Sequence, residues 1–187
     1  PDMTPAGGRA ALPLALTMGD PAGIGPDVAL AAWSLRDSLG LPPFYLVADP
    51  DVLAARAAAL GLPVAIRTVA PGDAVAAFAT ALPIVPVATA APVVAGQPDP
   101  RNGGAVIAAI ERAVGDMRAG AAAAIVTNPI AKKVLYDAGF AYPGHTEFLA
   151  ELARAWTGGP SLRPVMMLAG PGLPAVPVTI HIPLAAV

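Results

Sequence analysis

The chain has 187 residues, 56% hydrophobic and only 13% charged, with 11 basic against 13 acidic side chains and a formal net charge of −2. It has no basic cluster beyond Lys132-Lys133, so it carries no electrostatic footprint for nucleic acid, and the absence of cysteine excludes disulfides and thiolate metal sites. The longest uncharged run, 74–98, holds Pro83, Pro86, Pro92 and Pro98, which would break a membrane helix of about 20 residues, so no membrane partner is expected.

The chain opens with "PDMTPAGGRAALPL", which lacks the basic-then-apolar layout of a signal peptide, and the cytoplasm is the expected compartment. Residues 12–17 read as a strand, 18–26 as a loop and 27–39 as a helix. A second strand follows at 44–48. Asp49 or Asp51 caps the next helix, which Gly61 and Pro63 stop. Residues 64–69 form a third strand, 73–81 a short helix and 84–87 a strand. Val106, Ile107, Ile110 and Val114 give 102–117 a helical stripe. The run 122–127 has no polar face and is expected to be a central, buried strand. Residues 132–138 form a short helix closed by Gly139, and 147–156 another. Two strands close the chain. This alternation argues for an α/β fold with a largely parallel sheet.

Four motifs carry the candidate chemistry. "MGDPAGIGPD" (18–27) places three glycines between a strand and a helix whose first turn accepts Pro26. It fits either an anion-binding loop or a bare strand-to-helix turn, and it matches neither the dinucleotide fingerprint nor the P-loop. "VTNPIAKKVLYDAGF" (126–140) puts the chain's two lysines after a strand's carboxyl end, where open α/β sheets bind ligands. Lys132 there could meet a phosphate or carboxylate, or simply be solvated. "PGHTEFLAEL" (143–152) sets His145 and Thr146 at the mouth of a helix; an N-cap explains the threonine better than the histidine. In "VPVTIHIPL" (176–184), period two places Thr179 and His181 on one face.

Together these stretches, with a weaker match at "AGQPDPRNGGAVIAAIERA", resemble the 4-hydroxythreonine-4-phosphate dehydrogenase (PdxA) family of vitamin B6 biosynthesis. The resemblance runs along nearly the whole chain and looks like an amino-terminal portion. It implies the three-layer α/β fold of isocitrate and isopropylmalate dehydrogenases, in two domains (1–125 and 126–187) with a cleft between them. It implies NAD- or NADP-dependent oxidation of 4-phosphooxy-L-threonine, then decarboxylation to 3-amino-2-oxopropyl phosphate. It implies a divalent metal (zinc, or magnesium or cobalt) and a homodimer whose active site is shared between subunits. Residue by residue, it implies substrate contacts for His145, Thr146, Lys132 and Asp20, and a metal-ligand role for His181. It names no catalytic or cofactor-binding residue here. Ala131 departs from the family, which often has Asn or His there. The resemblance further implies about as much chain again beyond Val187, carrying two more metal histidines and most of the nicotinamide site, so the 187 residues alone are expected to be inactive. A paralogue oxidising threonate or erythronate 4-phosphate, and a non-catalytic phosphate-binding fragment, are the alternatives.

Overall fold

The computed structural model of the chain describes residues 12–157, 162–170, 172–177 and 185. The chain divides into two compact units, Pro1–Pro143 and Gly144–Val187. No helix among the described residues is long and apolar enough to cross a membrane.

The first unit is built on five strands: β1 (Leu14–Thr17), β2 (Phe44–Ala48), β3 (Ile66–Thr68), β4 (Leu82–Pro86) and β5 (Ala124–Thr127). Their order is β3-β4-β2-β1-β5, and every pairing is parallel. Parallel neighbours need crossover connections. These are supplied by α1 (Gly25–Ser34), α2 (Arg36–Leu39), α3 (Pro50–Ala59), α4 (Ala74–Phe78) and α5 (Gly103–Arg118). α6 (Lys132–Asp137) follows β5. This is the α/β architecture that the alternating pattern predicts.

The hydrophobic core lies around β2, where all five residues are buried. β2 also carries Tyr45, whose hydroxyl donates to Asp116 Oδ2 at 2.9 Å; Asp116 Oδ1 accepts from Arg112 Nε at 2.8 Å. Burial, and then the hydrogen bond to Asp116, push the Tyr45 hydroxyl well above its ordinary pKa, so it stays a donor. Trp33 Nε1 donates to Phe78 O at 2.9 Å and ties α1 to α4.

Two expectations change. The single helix over 27–39 is two helices, broken at Leu35 (φ −97°, ψ 5°). Arg36 sits just after the break. Its guanidinium lies over the Trp33 ring at 4.1 Å and donates to Trp33 O and to Ala79 O, the last a contact to a distant segment that a helical pattern does not encode. The run expected to be central is β5, which ends the described five-stranded sheet and is largely exposed, Val126 by 43%. Crossover connections fix strand order; the composition of a four-residue run does not.

The second unit holds α7 (His145–Thr157) and an antiparallel pair, β6 (Leu168–Gly170) with β7 (Leu173–Ala175). Gly172, at φ 91°, makes the turn between them. The strand expected over 176–184 lies outside the described residues beyond Pro177, and with it Thr179 and His181.

Candidate functional site

Because β1, β2, β4 and β5 are parallel and adjacent, the loops that leave their carboxyl ends share one edge of the sheet. Two of those loops are the first two motifs, and they are clasped together. The Asp20 amide donates to Pro129 O at 2.9 Å, and Asn128 Nδ2 donates to Thr17 O at 2.9 Å. Asn128 is buried. A Cβ on Gly19 would strike Pro129 O and would lie 2.9 Å from Asn128 Cβ; one on Gly25 would strike Met18 O and lie 3.1 Å from Asn128 Cβ. These two glycines are therefore occupied in close packing of one loop against the other. Of the readings open for the loop, the structure supports the packed turn at Gly19 and Gly25.

Asp20 lies inside this clasp and is 6% exposed. Its Oδ1 accepts from the Ala22 amide at 2.8 Å. Lys132 opens α6 and is exposed; among the described residues it has no ion-pair partner. Lys133 is the lysine that is paired, with Asp137 at 2.9 Å. So Lys132 is a cation presented at this edge of the sheet without an ion pair among the described residues. In the second unit, His145 is the first residue of α7 and half-buried, while Thr146 is exposed in the first turn. The Phe148 amide bonds Gly144 O at 3.3 Å, so Thr146 lies within the helix and is not its cap.

Sequence reasoning passes over a third feature on the same edge. A groove of about 590 Å³ lies between the ends of β2 and β4, lined by Pro21, Asp49, Arg56, Thr89 and Val93 among others. Asp49 caps α3 by accepting from the Asp51 amide at 3.0 Å. Its other oxygen accepts from the Thr89 amide and hydroxyl, both at 2.8 Å. Burial pushes the Asp49 carboxyl up, but the hydrogen bonds from Thr89 and from the Asp51 and Val52 amides outweigh it and hold the group below the ordinary carboxylate range. Arg56 forks onto Asp27 at 2.6 and 3.0 Å, and that hydrogen bond lowers the Asp27 pKa. The available signal was Asp49 at the end of a strand and before a proline. Its partner Thr89, forty positions on, gives none.

Among the described residues there is no group of three or more His, Asp or Glu side chains able to hold an ion, and His181 lies outside them. The described residues therefore support no chemical step through a metal.

Comparison with known proteins follows the same residues. The sequence profile of the family described as "Pyridoxal phosphate biosynthetic protein PdxA" matches residues 41–187. A curated 4-hydroxythreonine-4-phosphate dehydrogenase from Methylorubrum extorquens is 55% identical over 177 residues, which cover 94% of this chain and 50% of that protein. A crystal structure of a 4-hydroxythreonine-4-phosphate dehydrogenase from Burkholderia phymatum superimposes with a TM-score of 0.79 at 28% identity, over 95% of this chain and 52% of that one. A terephthalate 1,2-cis-dihydrodiol dehydrogenase from Burkholderia xenovorans LB400 gives 0.68 at 26% identity, over 95% and 50%. The chain thus spans about half the length of the curated relatives it matches. With the profile running from β2 through the lysine and histidine motifs, and with an α/β sheet of matching shape, the chain belongs to the PdxA family.

Proposed function

We propose that the protein containing this chain oxidises 4-phosphooxy-L-threonine with NAD or NADP and decarboxylates the product to 3-amino-2-oxopropyl phosphate, a step toward pyridoxal 5'-phosphate. The observation that carries this reading is the 55% identity, across 94% of the chain, to a curated 4-hydroxythreonine-4-phosphate dehydrogenase. The geometry supports it: the two motif loops are joined at the ligand-binding edge of a parallel sheet, and Lys132 stands exposed there.

In this reading Lys132 meets an anionic group of the substrate, phosphate or carboxylate, as a charge-assisted donor. His145 and Thr146 supply a ring nitrogen and a hydroxyl to polar substrate groups. Oxidation moves a hydride from the carbon bearing the secondary hydroxyl to the nicotinamide ring, and the hydroxyl proton leaves to a base. The β-keto carboxylate then loses carbon dioxide, and the enolate that remains takes up a proton at carbon. The whole enzyme would be a cytoplasmic homodimer taking a divalent metal, with His181 among its ligands.

A second reading has its own observation. The dihydrodiol dehydrogenase shares this half of the fold, and its named substrate carries no phosphate, so the fold half does not by itself specify a phosphate ester. Substrate choice therefore rests on groups beyond this fold half, and the alternative is a paralogue acting on threonate or erythronate 4-phosphate, which keep the phosphate and lack the amine. The test is a panel of alcohols offered with NAD and with NADP to the full-length protein, followed by absorbance of the reduced cofactor and by carbon dioxide release. The first reading expects turnover of 4-phosphooxy-L-threonine above the amine-free phosphates. Turnover of an amine-free acid alone would overturn it.

A further inference from the structure

A second, much smaller cavity lies where the two motif loops meet the start of α5. It measures about 10 Å³ and is lined by Asp20, Asn102, Gly103, Ala131 and Leu135 among others. That is room for one water molecule. Asp20 Oδ1 is taken by the Ala22 amide, but its Oδ2 is buried and has no hydrogen-bond partner among the described residues. A buried carboxylate oxygen without a donor is costly, so the site calls for one.

Asn102 supplies the complementary group. It is buried, and its Oδ1 accepts from the Ala90 and Ala91 amides at 3.0 and 2.9 Å. Only the oxygen of the side-chain amide can accept, so these two bonds fix its orientation and leave Nδ2 as a donor. Asp20, whose Oδ2 lacks a donor, and Asn102, whose Nδ2 is left to donate, therefore both line one water-sized cavity. A cation suits it poorly. Asn102 Oδ1 is already shared by two N–H groups, and Asp99, the other carboxylate on the wall, is held by Arg101 at 2.6 Å.

We propose that this cavity is a binding site for a single internal water that donates to Asp20 Oδ2 and accepts from Asn102 Nδ2. The water joins the "GDPAGIGP" loop to the start of α5. Through Asn102 it reaches the backbone at Ala90 and Ala91, which also lines the large groove. Asp20 is then a positioning residue: its backbone holds Pro129, and its side chain holds the groove loop.

The test is a high-resolution crystal structure of the full-length protein, with a parallel crystal exchanged into rubidium chloride. The expected result is one spherical peak within hydrogen-bonding distance of both atoms and no anomalous signal there. An empty cavity, or a rubidium peak in it, would overturn the proposal. In solution, Asp20→Ala should speed amide exchange at Ala90 and Ala91 on the order of fivefold, leaving Tyr45 and Leu46 in the core unchanged. Exchange at Ala90 and Ala91 that stays as slow as before would contradict the coupling. The native crystal decides the occupant even if that variant does not fold.

Discussion

At Gly19 and Gly25 the fold leaves no space for a side chain: Gly19 faces Pro129 and Asn128, far along the chain, while Gly25 faces Met18 O of its own loop, with Asn128 beside it. Gly25→Ala drives a methyl into Met18 O, and the expected loss of stability is about 1–3 kcal/mol. Gly19→Ala meets Pro129 O and must also hold an alanine at φ 67°, so about 2–4 kcal/mol is expected. Gly40, at φ 60° with open space within 4 Å of where a Cβ would stand, isolates the backbone cost, and Gly40→Ala should lose only about 1–2 kcal/mol. Urea denaturation of the three variants checks the ranking; equal losses would refute the packing argument. The glycine pattern was visible in the sequence, but its partner was not. A local motif cannot say whether a glycine makes room for a ligand or for another loop, and here Asn128 and Pro129 answer. Lys132, the lysine that the motif singled out, is left exposed, whereas an i,i+4 ion pair to Asp137 occupies Lys133.

At the scale of elements, Asp49 joins the start of α3 to the loop after β4. Asp49→Ala removes a helix cap and two bonds to Thr89, and should cost about 1–3 kcal/mol in denaturation experiments. The pH dependence follows from the same carboxylates. Asp49 and Asp27 are both held below the ordinary value in the folded chain. Each therefore contributes stability that is present above the unfolded value of about 4 and is lost as pH falls through the lower folded value. A melting curve series from pH 6 to pH 2 should show the loss setting in below about pH 4, and less steeply in Asp49→Asn. Most elements were legible from periodicity and end signals: β2 matches its expected span, and Asp49 is the cap at one of the two positions considered. The break at Leu35 was not, because Arg36 also bonds Ala79 O, a contact 43 positions away that no local window of the sequence contains. The rank of β5 was not either, since an apolar run reads the same at the middle or the end of a sheet.

For the molecule as a whole, burial is uneven. β2 is wholly buried, whereas every residue of β6 and β7 is exposed. Hydrogen exchange should therefore rank β2, β4 and the Ala109–Ala113 segment of α5 as the slowest amides and β6–β7 as the fastest, because opening free energy follows buried contact. Family membership was legible because four separated motifs agree in order, a pattern that chance does not produce along one chain.

In the proposed reaction, Lys132 and the α7 histidine serve a nicotinamide-linked oxidation of a phosphorylated hydroxy amino acid. The most direct measurement is the initial rate of reduced-cofactor formation from 4-phosphooxy-L-threonine by the full-length protein, with and without Lys132→Ala and His145→Ala. The expected result is measurable turnover in the unaltered protein and a fall of about 10- to 100-fold in each variant, the loss of one charge-assisted or substrate-site hydrogen bond, with the melting point preserved. Turnover that survives both substitutions, or none at all with this substrate in the unaltered protein, would contradict it.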